Sequence, residues 1–369
     1  MALFFSNKPT VTCISVLLLF SCQPEVIQEG PAQLGHLNFT ATFSNPGRTS
    51  ETNKDCVQSD FLFNENLKEL VYPETPSPEC GATAFSEVQW KHFTQLASDP
   101  IATDNFTRYL SLNHYASRLD LDGDQYFGPD GEYSSLVNRI SKDLARFWDM
   151  EGEVEVRGQH NETLNDREEI VKLLSRMIFD DVSLEDLYRI ADEMLLLNQQ
   201  SPVLPESPIF SSEGYSAPGG LIVIGDGLIQ MFVEAGIEPT IAWTGILTHE
   251  WIHQIQIENY NSWYPAGSFE TPAEETRQIE LEADFFSAYY MTHKRGATLN
   301  WKRTTEFLKL FFQAGDCSFD FELHHGTPKQ RMQATMAGHD LAASAQKKGK
   351  ILSAEEVHDH FLSSLAQIL

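Results

Sequence analysis

The pentapeptide His249-Glu250-Trp251-Ile252-His253 constrains this chain more than any other feature of it. Two histidines four residues apart stack on one face of a helix, so both imidazoles can reach a common metal ion. The carboxylate beside the first histidine can then take a proton from a water held by that ion. Only three positions define the motif, so about one chain in a hundred of this length would carry it by accident. Its meaning depends on a third ligand, a group that orients the histidines, and a track for substrate.

At 369 residues, with 41% hydrophobic and 21% charged residues, the chain has the make-up of a globular protein able to bury one large core or two smaller ones. Its net charge of −27 argues against a nucleic-acid partner and against charge-driven binding to anionic membranes. Lys8 precedes an apolar run, Val11 to Phe20, of signal-peptide length and too short to span a bilayer. The run ends Leu19-Phe20-Ser21-Cys22, which resembles a bacterial lipobox, with Phe20 departing from the usual small or aliphatic residue. That resemblance implies a lipoprotein signal peptide over 1–21 and a lipid on Cys22. The protein is then exported and lipid-anchored in the bacterial cell envelope, on its periplasmic or outer-membrane face. The alternative is an ordinary signal peptide with a chance cysteine. In an oxidising compartment Cys56 and Cys80 are the natural disulfide, and Cys317 stays free and buried. No cysteine pair has zinc-site spacing, so metal binding falls to histidines and carboxylates.

Residues 22–55, rich in Pro, Gly, Asn, Ser and Thr, read as a tether with one strand around Leu37 to Phe43. Residues 56–150 read as a helical amino-terminal region, with apolar periodicity over 86–97, 104–117 and 133–150. Within it, Asp120, Asp122 and Asp124 hold positions 1, 3 and 5 of a loop that a Ca2+ ion could use. An EF-hand loop would place Gly at position 6 and Glu at 12; here those are Gln125 and Gly131, and Glu132 comes one residue late. The competing reading is a solvated Asp/Gly turn. Residues 151–369 form the domain around the motif. They carry a strand over 153–157, helices over 166–179 and 183–197, a Pro- and Ser-rich loop over 201–216, and a strand Leu221 to Ile224. The motif helix is expected to run from a Thr240 cap to about Asn259, and the next from Thr271-Pro272 to Gly296. The fold class is α+β, mainly helical.

The second of these helices contains Glu280-Leu281-Glu282-Ala283-Asp284. Glu280 and Asp284 share a face, while Glu282 points away and reads as a solvated charge. One carboxylate of the pair can bind metal, and the other can accept a hydrogen bond from the free ring nitrogen of a ligand histidine. An exposed acidic face is the alternative, but Ala283, Phe285, Phe286, Tyr289 and Tyr290 argue for burial, and buried carboxylates need a partner. A metzincin is excluded, because it requires Gly and His where the chain has Gln256 and Asn259. His324, His339 and His358 have no partner spacing and read as surface residues.

HExxH followed by Glu280-x-x-Ala283-Asp284 resembles the gluzincins of the CAAX-prenyl-protease and heat-shock membrane-protease group, and a group of bacterial neutral zinc metallopeptidases. Ala217 to Ile224 followed by Gly227-Leu228-Ile229 looks like the edge strand and turn that precede the active-site helix there. Gly315-Asp316 and His325-Gly326-Thr327-Pro328-Lys329-Gln330-Arg331 resemble the GD…HGTxxQR signature of the neutral metallopeptidases. The likeness covers about residues 210–340. The chain departs from it in lacking a Gly before the second histidine and a set of transmembrane helices, so the substrates of the membrane-embedded relatives do not carry over.

The resemblance implies a zincin-like fold with an active-site helix, a glutamate helix and a small edge-strand sheet. It implies Zn2+ held by His249, His253 and Glu280, with Asp284 orienting a ligand histidine and Glu250 as general base. His325, Arg331 and Tyr289 are candidates for stabilising the oxyanion. For His325 and Arg331, a packing motif that ties the last helices to the site is an equal alternative. The strand Leu221 to Ile224 would bind an extended peptide by strand addition, or be an ordinary core strand. The implied activity is a zinc metallopeptidase acting on a peptide or protein substrate without a covalent intermediate. The competing readings are a non-catalytic zinc-fold binding or assembly lipoprotein, and a calcium-stabilised adhesin in which HExxH is incidental.

Overall fold

Prolines and short polar caps set where the helices begin. The computed structural model describes residues 59–60, 81–119, 125–177, 182–297, 301–316, 324–346 and 350–369. In chain order the helices are α1 (Ala84–Ala97), α2 (Pro100–Arg118), α3 (Ser134–Trp148), α4 (Arg167–Met177), α5 (Leu184–Gln200), α6 (Asp226–Glu234), α7 (Pro239–Trp263), α8 (Pro272–Thr292), α9 (Trp301–Gln313), α10 (Pro328–Gln346) and α11 (Ala354–Ile368). Side chains of Thr83, Asp99, Ser183, Thr271 and Ser353 accept backbone N–H groups at the starts of α1, α2, α5, α8 and α11. The motif helix α7 is capped by Glu238, not Thr240. Pro239 takes the first turn, where its missing N–H costs nothing, and the Glu238 side chain accepts from Ile241 N. It continues four residues past Asn259, and α8 ends at Thr292, short of Gly296.

The sheet consists of β1 (Ser59–Asp60), β2 (Glu155–Gln159), β3 (Gly214–Ala217) and β4 (Leu221–Gly225), in the order β1-β3-β4-β2. β3 and β4 pair antiparallel, with Ser216 opposite Ile222, and β2 runs parallel to β4, with Val156 opposite Ile222. This corrects two expectations. Residues 214–216, read as the end of a loop, form a strand with Ala217, although Gly-Tyr-Ser-Ala lacks the β-branched alternation that signals one. β4, expected at an edge and available for strand addition, is central: both of its hydrogen-bonding rows are already spent on neighbours. The expected turn at Gly227-Leu228-Ile229 is part of α6.

One buried cluster contains apolar side chains from Phe85 in α1 to Ile368 in α11. α7 is buried on all sides between Ile241 and Gln256, and α8 is buried from Ile279 to Thr292. α10 packs closely along α8. At Gly338 a Cβ would lie 2.0 Å from the Phe285 carbonyl oxygen, so only glycine permits the approach. Among the described residues no helix is long and apolar enough to cross a membrane. The signal segment 1–21, Cys22, the tether with its expected strand, Cys56, Cys80, Asp120, Asp122, Asp124 and Cys317 lie outside the described residues.

Candidate metal centre

The four-residue step between His249 and His253 places both rings on the side of α7 that faces α8. The rings meet edge to face with centroids 4.6 Å apart. His249 Nε2 lies 3.0 Å from His253 Nε2 and 3.1 Å from Glu280 Oε2, and His253 Nε2 lies 3.5 Å from Glu280 Oε1. Among the described residues, His249, His253 and Glu280 are the group whose donor atoms converge closely enough to hold a metal ion. The chemistry fits. Four ligands at about 2.0–2.1 Å around a tetrahedral ion stand roughly 3.3 Å from each other, and two imidazoles with one carboxylate are a donor set that Zn2+ takes. Glu280 Oε1 is buried and receives no hydrogen bond among the described residues, which is the position of a ligand oxygen.

Each histidine is held through its other ring nitrogen. His249 Nδ1 lies 3.1 Å from Asp284 Oδ1. Arg331 in turn donates from Nε and Nη2 to the two Asp284 oxygens, both at 2.7 Å, and its Nη2 lies 3.6 Å from Glu280 Oε2. His253 Nδ1 lies 2.7 Å from Gln256 Oε1. Burial works against charge on both rings. At His249 the carboxylates of Glu280 and Asp284 overcome it and raise the pKa to about 9. At His253 burial prevails, joined by repulsion from His249, and the pKa falls to about 3. Burial also opposes ionisation of Glu280, but the two histidines hold it well below the usual carboxylate range.

The downstream signature is built for packing around this centre. Asp316 N–H donates to Gly326 O, its Oδ1 lies 2.6 Å from His324 Nδ1, and its Oδ2 accepts from His325 N at 2.7 Å. Burial disfavours the Asp316 charge, yet His324 and His325 pull its pKa well below normal. Gly326, at φ 96°, reverses the chain. Thr327 and Gln330 then exchange hydrogen bonds that begin α10: Thr327 Oγ1 accepts from Gln330 N, and Gln330 Oε1 accepts from Thr327 N. α10 delivers Arg331 to Asp284. Arg331 is fully buried and its fork is engaged by Asp284, which supports its packing and orienting alternative over a substrate-facing one. His325 is held by Asp316; burial opposes its charge, while Asp316 and then nearby Glu280 raise its pKa. Tyr289 lies elsewhere, its hydroxyl accepting from Leu352 N.

Glu250 is fully buried. Ser216 Oγ of β3 lies 2.6 Å from its carbonyl oxygen and 3.1 Å from its Oε2. Gln254 Nε2 donates to the carbonyls of Ala217 and Leu221, so the β3–β4 turn is pinned to α7. Glu132, the last candidate of the Asp-rich loop, accepts from Asp130 N. A cavity of about 520 Å³ with mixed polar and apolar walls lies beside β2, lined by Leu119, Tyr126, Gln159, His160, Glu162 and Glu169 among others, and no residue of the metal centre lines it.

The readings of three individual residues are overturned. Glu282 is fully buried and not a solvated charge: its Oε1 lies 2.5 Å from His358 Nδ1, and its Oε2 accepts from Tyr264 OH and Gln256 Nε2. His358 and His324 are buried rather than on the surface. Spacing within one helix could not reveal the Glu282–His358 pair, whose members are 76 residues apart, and the partner of His324 is Asp316 in the preceding loop. The exposed acidic face is likewise excluded, since Glu280, Glu282 and Asp284 are all buried. No protein-family model, no curated protein and no solved structure matches the chain.

Proposed function

We propose that the protein is a gluzincin-type zinc metallopeptidase, exported and anchored to the bacterial cell envelope by a lipid on Cys22. The observation that carries the reading is the convergence of His249, His253 and Glu280 beside Glu250, with each histidine oriented from behind by a separate side chain. Zn2+, when bound, supplies a Lewis acid that polarises the scissile carbonyl and acidifies water. Glu250 would accept the proton of the attacking water on its carboxylate and return it to the leaving amine. Asp284, clamped by Arg331, fixes the His249 ring; Gln256 fixes that of His253. β4 has both edges paired, so an extended substrate would have to be bound elsewhere than along Leu221 to Ile224.

One observation favours a second reading. His249, Glu250 and His253 have no exposed surface and Glu280 has 1%. A closed site is the mark of a structural metal, whereas a catalytic one keeps a position open. A non-catalytic zinc-fold binding or assembly lipoprotein would need no access to the ion; a peptidase must open the segments that cover it. Hydrolysis of an unfolded protein substrate by wild type and Glu250→Gln separates the two. Loss of at least about 100-fold in the variant, at equal zinc content, is expected of the enzyme, and equal residual rates would sink it. Partition into detergent, abolished by Cys22→Ser, tests the anchor.

A further inference from the structure

We propose that Glu282, supported by His358 of α11, is a positioning residue that sets the tautomer of His253 by fixing the orientation of the Gln256 amide. The proposal rests on the metallopeptidase reading only for the identity of the ion. The argument begins with the donors and acceptors around Gln256. Its Nε2 lies 2.9 Å from Ile279 O, 3.0 Å from Glu282 Oε2 and 3.3 Å from Tyr264 OH. The first is a carbonyl and the second a carboxylate, neither of which can donate. The Tyr264 hydroxyl proton is already given to Glu282. All three therefore demand the NH2 end of the amide.

The other end follows by necessity. Gln256 Oε1, an acceptor only, is the atom 2.7 Å from His253 Nδ1, so His253 carries its proton on Nδ1. Its Nε2 is then a bare lone pair, directed toward His249 Nε2 and Glu280. Were the amide reversed, an N–H would face Nδ1, the proton would move to Nε2, and His253 could not bind a metal. Reversal would set Oε1 against the Ile279 carbonyl, and Glu282 adds the larger cost, because Oε1 would also face a buried carboxylate. His358 Nδ1 engages the second Glu282 oxygen at 2.5 Å, and its ring stacks on Trp263 at 4.3 Å. A relay of side chains thus connects the carboxy-terminal helix to a ligand nitrogen, while His249 uses a different one through Asp284 and Arg331.

The test separates this role from mere packing of α11. Chelator-treated protein labelled with 15N in histidine reports each ring tautomer by long-range 1H–15N correlation. Wild type should show His253 protonated on Nδ1. Glu282→Gln, whose own amide can face Gln256 either way and which leaves Ile279 O as the remaining constraint, should show a mixed population with Nε2-protonated His253. The zinc dissociation constant, measured by chelator competition, should rise about 10–100-fold in Glu282→Gln, with an altered visible spectrum of the Co2+-loaded protein. His358→Gln keeps an N–H for Glu282 and should retain near-wild-type affinity, whereas His358→Leu should not. Tyr109→Phe removes a buried hydroxyl bonded to Met194 O and Asn198, far from the centre, and should leave zinc affinity within about twofold. An unchanged His253 tautomer and zinc affinity in folded Glu282→Gln would overturn the proposal. If Glu282→Gln does not fold, equal affinity in His358→Leu and His358→Gln would do so. Wild type that takes up no zinc but shows the expected tautomer shift would refute the metallopeptidase reading and leave the relay standing.

Discussion

His249 and His253 sit one helical turn apart and face the same carboxylate, yet the protein holds them by opposite means. Behind His249 stands an ionised pair, Asp284 with Arg331, and behind His253 a neutral amide, Gln256. Burial opposes charge on both rings. At His249 the carboxylates of Glu280 and Asp284 overcome it and raise the pKa to about 9, while at His253 burial and repulsion from His249 outweigh Glu280 and the Gln256 hydrogen bond and lower it to about 3. Two like imidazoles are thus oriented by a salt-bridged carboxylate on one side and by a directed dipole on the other. Both supports favour the protonated ring, the second carboxylate beside His249 adding to what Glu280 does there. The charged side has a structural cost. Arg331 is buried with Asp284 and Glu280, and such a group is stable only while every member is present.

The largest effect should come from breaking that charged side. Arg331→Met removes the buried cation that engages both Asp284 oxygens and leaves Asp284 and Glu280 to share His249, so urea unfolding should register a loss of about 3–5 kcal/mol. A loss below about 1 kcal/mol would mean that the pair does not carry the His249 side. Next, Asp284→Asn keeps an oxygen near His249 but removes its charge. Zinc affinity should fall about 10–100-fold by chelator competition, and an unchanged affinity would equate the charged and neutral supports.

The pH dependence of chelator-stripped protein should show both sides at once. The His249 pKa is raised from 6.5 to about 9, so the stability it contributes is complete below pH 6.5 and is lost as pH rises through about 9. That of His253 is lowered from 6.5 to about 3, so its neutral ring contributes fully above pH 6.5 and the contribution is lost as pH falls through about 3. Denaturation midpoints across pH 3–9.5 should therefore decline in both directions, and Asp284→Asn should flatten the alkaline arm alone. A surface pair gives the smallest effect and the contrast. Glu234 of α6, held by Lys91 and His92 of α1, keeps its charge against partial burial and has its pKa lowered from 4.5 to about 2. Its contribution is present above pH 4.5 and lost as pH falls through about 2. Because solvent screens the pair, Glu234→Gln should cost less than about 1 kcal/mol at neutral pH in the same unfolding assay.

Much of the centre was legible because its parts are local. The i, i+4 step of His249 and His253 and the shared face of Glu280 and Asp284 follow from helix geometry, and Thr271-Pro272 marks its own helix start. The resemblance to HGTxxQR placed Arg331 among the candidates without saying which carboxylate it holds. Glu282 was misread for a related reason. Its helical position, turned away from Glu280, was seen correctly, but what lies on that side is His358 from a helix seventy-odd residues later. For β4 the edge strand implied by the resemblance gave way to the core-strand alternative, because an apolar strand reads alike at an edge or a centre and the pairing that decides comes from β2 and β3.

The sequence by itself determined which side chains share a helical face, His249 with His253 and Glu280 with Asp284, since the rise and turn of an α-helix dictate it. Only the tertiary structure decided how those donors are held and what they can reach. Hydrogen-bond partners, burial and paired strand edges depend on which distant elements meet, and no local period encodes that. HExxH placed two histidines on one helical face, and the packing of α8, α10 and α11 around α7 decided which side chains stand behind them.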